Sequence, residues 1–224
     1  DNCTAVTSYQ QAFYDCRGLT GVIPRELFED SPSASTFNYT FYNCIGLEYG
    51  EVIINTTDSV SMQGMFQNCT GLKSLVLSEG FKHITSKNMF SDCSNLKAII
   101  MLNDAASETE VGTLGALTTI ILPSATIIYV PTSEAETNYE NAWTGIIAAT
   151  RVEPLLKLVG NETVEITYGE TYTDEGYTVA NNQIANKGEY EVYGFEVAYE
   201  DGEATDTLGS KVRTYTLTKT NGTT

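Results

Sequence analysis

His83 is the chain's single histidine, and it stands among five cysteines and 29 carboxylates. A serine triad needs a histidine held between a nucleophile and a carboxylate. No G-x-S-x-G elbow accompanies this one, and a lone histidine in a coil turn just after Phe81 reads as structural or exposed. A Cys/His pair would need an ionisable thiol, but four of the cysteines fall on apolar, periodic positions, where burial keeps a thiol protonated. No C-x-x-C or Cys/His spacing suits zinc. No phosphate loop or dinucleotide fingerprint appears. Glycoside hydrolysis needs only two carboxylates, and with 29 of them a pair at a workable separation arises from composition alone. Asp174/Glu175 and Glu200/Asp201/Glu203 could be read as calcium loops, but they lack EF-hand ligand spacing and read as polar turns. The chain is therefore expected to be no enzyme, with no catalytic residue, no cofactor and no metal site.

The cysteines point instead to architecture. Phe-x-x-Cys-x-x-Leu occurs four times: Phe13/Cys16/Leu19, Phe41/Cys44/Leu47, Phe66/Cys69/Leu72 and Phe90/Cys93/Leu96. The phenylalanines are 28, 25 and 24 residues apart, within the period of about 20–29 residues of leucine-rich repeats. Met62, Phe66 and Cys69 share one stripe of a helix, and Leu72/Leu75/Leu77 then bends into a short strand. The second half recurs as Leu96/Ile99/Met101 and as Leu117/Ile120/Leu122. Asn2 to Val6 looks like the tail of a truncated first copy. Such a unit cannot bury its apolar side alone and needs copies above and below it.

These copies, with Met65 and Met89 ahead of two of them, resemble the BspA-like leucine-rich repeats of bacterial surface proteins. Ile127-Ile128-Tyr129-Val130-Pro131, with Tyr139 and Trp143 following, is similar to the closing segment of such arrays. The resemblance covers about residues 1–150 and implies adhesion or host-interaction roles. Two departures stand out: an insertion at Ser31-Pro32-Ser33-Ala34-Ser35 and an irregular strand after Leu47. Equivalent cysteines in adjacent coils are close enough to bridge, but their parallel side chains oppose the bridge torsion. Free, buried thiols are the favoured reading.

Residues 133–149 read as a helix with Ala135, Tyr139, Ala142/Trp143 and Ile146 on one face, capping the last coil. Beyond Arg151-Val152-Glu153-Pro154 the pattern alternates with turn signals, as in a β-sandwich. This segment resembles a bacterial immunoglobulin-like domain through Pro154 to Gly160, Tyr168 to Tyr177 and Tyr215 to Thr218. The expected architecture is an α/β leucine-rich-repeat solenoid over residues 1–152, followed by a small all-β immunoglobulin-like sandwich over 153–224.

The net charge of −17 and pI of about 4.2 argue against nucleic-acid binding, which needs a basic face. They also disfavour anionic membrane surfaces. No apolar run approaches the ~18 residues of a membrane span, and the sequence contains no signal peptide, as expected of a mature or trimmed form. The residue between the last two apolar positions of L-x-x-L-x-L should point onto an exposed sheet face. Ile23, Ile53, Val76, Ile100 and Ile121 would then align into an apolar stripe. Branched residues also simply suit strands; the functional alternative is a partner-binding strip. The expected function is adhesion at a bacterial cell surface, or as a secreted protein, to an extracellular or host protein or glycan. Two alternatives are spacer modules of a larger surface protein and a carbohydrate-binding module using Tyr190, Tyr193, Phe195 and Tyr199.

Overall fold

In the computed structural model the described residues are 3–54, 60–78, 84–85, 88–103, 122, 126–142, 151–158, 177–179, 193–201 and 213–221. They divide into two compact units, Asp1–Leu155 and Leu156–Thr224.

The first unit winds around a six-stranded parallel sheet. Its strands are β1 (Thr20–Ile23), β2 (Gly46–Val52), β4 (Ser74–Leu77), β6 (Ala98–Met101), β7 (Ile127–Val130) and β8 (Arg151–Pro154), in that spatial order. A second, shorter parallel ladder runs beside it. It consists of the bridges Ser8↔Thr36 and Thr36↔Ser61 and the pairing of β3 (Val60–Ser61) with β5 (Ile84–Thr85). Each coil passes from the second ladder through a run of turns into the main sheet.

Those turns are not helical, which corrects the helix-stripe reading of Met62, Phe66 and Cys69. They are overlapping i→i+3 turns: Met65 N–H to Met62 O, Gln67 N–H to Gly64 O, Cys69 N–H to Phe66 O and Leu72 N–H to Cys69 O, all 3.0–3.2 Å. The cause lies two residues either side of each phenylalanine, where φ is positive: Gln11/Asp15, Tyr39/Asn43, Gly64/Asn68 and Asn88/Asp92. A positive φ at the third residue of a turn breaks helical continuation and favours Gly or Asn. Released from an i→i−4 ladder, the alternate N–H groups pair with the next coil instead. Tyr39, Phe41 and Asn43 donate to the carbonyls of Gln63, Met65 and Gln67 at 2.8–2.9 Å.

The core is a column. Phe13–Phe41, Phe41–Phe66 and Phe66–Phe90 are stacked, with ring centroids 5.2, 5.4 and 5.7 Å apart and planes within 10°. Phe41, Phe66 and Phe90 are buried, each contributing about 1.5–3 kcal/mol of burial, whereas Phe13, in the first coil, is half-buried. The single file expected from the repeat is present. The long first interval holds a 3₁₀ turn, Arg25–Leu27, behind Pro24. It delivers Phe28 into the core against Tyr9 and Phe37, at centroid distances of 4.8 and 5.1 Å. The strand after Leu47 is continuous; its irregularity is a register shift between Gly21 and Val22 where β1 pairs with β2.

The turn at Cys3, closed by Val6 N–H to Cys3 O, matches the turn closed by Ala34 N–H to Ser31 O, 28 residues later. Residues 3–6 thus take the same turn before the bridge at Ser8 that residues 31–34 take before the bridge at Thr36.

Helix α1 (Ser133–Ala142) connects β7 to β8. Thr132 caps it, its Oγ1 accepting from Ala135 N–H at 3.0 Å. Ala135 and Tyr139 are fully buried; Trp143 and Ile146 lie outside the described residues.

In the second unit, β9 (Leu156–Leu158) pairs antiparallel with β10 (Tyr177–Val179), and β11 (Tyr193–Asp201) with β12 (Arg213–Asn221).

Candidate functional site: the sheet face and the turn edge

The main sheet was expected to expose a stripe on its outer face. Strand alternation sends Leu75, Leu77, Ile99 and Met101 into the core cluster and Ser74, Val76, Ala98 and Ile100 to the opposite face. Val76 and Ile100 nevertheless have 0% exposure, and Ile53 has 8%. The exposure reading is corrected on three counts. Both faces of β4 and β6 are buried, as their unbroken apolar runs allow in a parallel sheet. Ile23 joins the core itself, at 2% exposure, packed where Gly50 leaves no room for a Cβ. Ile53 lies just past the end of β2, and Glu51 is the residue that pairs with Val76. The row actually formed is Glu51–Val76–Ile100–Tyr129–Glu153. Ile121 lies outside the described residues.

The cysteines are free. Each buried thiol donates to a phenylalanine carbonyl one coil back: Cys44 to Phe13, Cys69 to Phe41 and Cys93 to Phe66, all 3.0 Å between Sγ and O. Burial pushes the Cys44 thiol up to about 11 and the Cys93 thiol up to about 12, and raises that of Cys69 as well. A thiol held protonated and donating to a carbonyl is a poor nucleophile.

The turn edge is the opposite case. One polar column runs along it: Asn68 Nδ2 donates to Asn43 Oδ1 at 2.6 Å, and Asn43 Nδ2 donates to Asp15 Oδ1. Arg17 Nε also donates to Asp15, at 2.8 Å. Those bonds, Arg17's first, hold the Asp15 carboxyl below its usual range. Beside the column sits a group of tyrosines. Tyr14 and Tyr42 stack at 4.7 Å and 9°, and Tyr39 meets Tyr42 edge-on at 6.0 Å and 74°. Tyr14 is 45% exposed. These side chains were not singled out from the sequence. The signal was the position one residue after each repeat phenylalanine, which reads Tyr14, Tyr42, Gln67 and Ser91.

Among the described residues no group of three or more His, Cys, Asp or Glu side chains is placed to hold a metal ion. His83, Asp174, Glu175 and Glu203 lie outside those residues. On β11, Tyr193, Phe195 and Tyr199 occupy same-parity positions opposite Asn221, Lys219 and Tyr215; Tyr190 is outside the described residues.

Stacked coils, a parallel sheet and a continuous aromatic file define, among the described residues, a parallel β-solenoid of about four turns with one helix, consistent with a leucine-rich-repeat solenoid. Residues 6–108 match the BspA type leucine rich repeat region, in 6 copies. The resemblance carried by the F-x-x-C-x-x-L copies is supported over that range, which ends before β7. No curated protein and no solved structure gives a match. Among the described residues, no helix is long and apolar enough to cross a membrane.

Proposed function

We propose that this chain is a non-enzymatic binding protein of the bacterial surface or secreted medium, recognising an extracellular protein or glycan through its repeat surface. One observation carries the reading. Cys44, Cys69 and Cys93 are spent as internal hydrogen-bond donors, while Gln10, Gln11 and Tyr14 on the turn edge are exposed. A stack of coils offers an extended, shallow surface, and such surfaces suit macromolecules better than small substrates. BspA-type repeats are often found in surface adhesion proteins, which favours the same reading.

We further infer that Leu156–Thr224 is an immunoglobulin-like spacer. Its antiparallel pairs β9–β10 and β11–β12 are compatible with a sandwich, and its turn-punctuated alternation supports one.

The test is capture by the immobilised full chain from extracellular-matrix and mucin fractions. Retention of a defined matrix protein or mucin glycan, saturable and competed by free chain, is the expected result. A chain that retains nothing, in a longer protein that does, would move the activity elsewhere and leave this region as a spacer.

A further inference from the structure

We propose that the turn edge of the first two coils is a platform for a neutral glycan, with Tyr14, 45% exposed and stacked on Tyr42, offering phenol surface to the C–H face of a pyranose. This rests on the binding reading above and gives it a place and a ligand class.

The fold does not ask for aromatic rings here. The position after the repeat phenylalanine holds Tyr14 and Tyr42 in the first two coils but Gln67 and Ser91 in the next two. The backbone is the same in each case: Asn43 N–H bonds Gln67 O at 2.9 Å, and Asn68 N–H bonds Ser91 O at 2.8 Å. A residue required by coil geometry would recur in all four copies, as the phenylalanine and cysteine do. The tyrosines are therefore an addition to the repeat.

They are also held in place before any ligand arrives. Tyr42 backs Tyr14 at 4.7 Å, and Tyr39 abuts Tyr42. Tyr39 in turn lies where Gly64, with φ of +57°, leaves the space a Cβ would take. Rigid phenols present contact area at low entropic cost, and an aromatic face beside a few polar groups is the usual lining of a ligand site.

The chemistry around the rings selects the ligand. Gln10 and Gln11 are exposed amides within one turn, Tyr14 N–H bonding Gln11 O at 3.1 Å. Asp15 is neutralised by Arg17. The Asp15–Arg17 pair thus carries no net charge, in a chain of net charge −17. The long-range field repels polyanions, and a cationic ligand finds the nearest carboxylate already paired. A polyhydroxyl ligand with an apolar ring face meets both the phenol and the amides.

The experiment is affinity electrophoresis of the full chain through gels containing a β-glucan, an α-glucan, a mannan or a galactan, with heparin as polyanionic control. At least one neutral polysaccharide should retard the protein and heparin should not. The double variant Tyr14→Ser/Tyr42→Gln carries residues that later coils already tolerate there. It should lose at least tenfold in apparent affinity with its circular-dichroism melting curve retained. Tyr14→Leu, which keeps bulk but not the ring, should lose affinity as well and serves if the double variant unfolds. Retardation by none of the four, or equal retardation of the variants, overturns the platform. Matrix-protein capture lost in the variants without any polysaccharide binding would replace the glycan with a protein at this edge. Matrix-protein capture retained by them removes the site but leaves the broader binding reading intact.

Discussion

Cys69 Sγ donates a hydrogen bond to the carbonyl oxygen of Phe41, 3.0 Å away in the preceding coil. The same carbonyl accepts Cys44 N–H at 3.1 Å, so one oxygen ties together a turn and the coil that follows it. This explains why the position takes cysteine and not alanine or valine: it needs a small, apolar side chain with a single weak donor. Cys69→Ala should therefore cost about 1–2 kcal/mol, from the lost bond and lost packing combined. Urea unfolding measures it; an unchanged midpoint would mean the thiol contributes only volume.

Thiol accessibility should split the five cysteines. Cys3 is exposed and Cys16 half-buried, while Cys44, Cys69 and Cys93 are buried. Ellman's reagent on the native chain should label the first two and spare the other three until denaturant is added.

The raised thiol values also set a pH dependence. The folded chain keeps the protons of Cys44 and Cys93 up to about 11 and 12, whereas the unfolded chain releases them near 9. Between those limits the native state binds more protons, so stability falls as pH rises. The contribution is complete below about pH 9 and is lost progressively toward pH 11–12. Melting temperatures for wild type and the Cys44→Ala/Cys93→Ala variant should converge across that window as the wild type loses its advantage.

Aspartate at Val76 or Ile100 should unfold the first unit and not merely remove a binding surface. Each has 0% exposure, and a buried, unpaired carboxylate costs more than about 3 kcal/mol. A soluble variant with a wild-type melting curve would restore the exposed-stripe reading.

Asn68 has φ of 61°, so Asn68→Ala should lose about 1–2 kcal/mol from left-handed strain, with the bond to Asn43 lost in addition. Asn68→Gly removes only the side-chain bond and should be the milder of the two, as compared by thermal melts.

The repeat was legible because phenylalanine, cysteine and leucine all lie on the buried side, where every coil imposes the same demand. The turn geometry was not. Met62, Phe66 and Cys69 fit a helical stripe, but the residues that forbid a helix include Gln11 and Tyr39, types that do not announce a positive φ. Asn43, Gly64, Asn68 and Asn88 did carry that signal. The outer sheet face was misread because alternation was assumed for Val76 and Ile100, whereas Ser-Leu-Val-Leu and Ala-Ile-Ile-Met are runs suited to burial on both sides. Ile23 faces the core by plain alternation in β1, where Gly21 and Ile23 are buried and Val22 lies between them. The tyrosine edge was overlooked because attention to what repeats passes over what does not.

Coil-on-coil stacking is tested most directly by double-mutant cycles on the phenylalanine file. Phe41→Leu and Phe66→Leu remove rings whose centroids lie 5.4 Å apart. Phe13→Leu and Phe90→Leu remove the first and last rings of the file, which have Phe41 and Phe66 between them. The adjacent pair should couple by about 0.5–1.5 kcal/mol in urea unfolding. The outer pair should be additive within about 0.5 kcal/mol. Equal coupling in both cycles, or none in either, would contradict the stacked file.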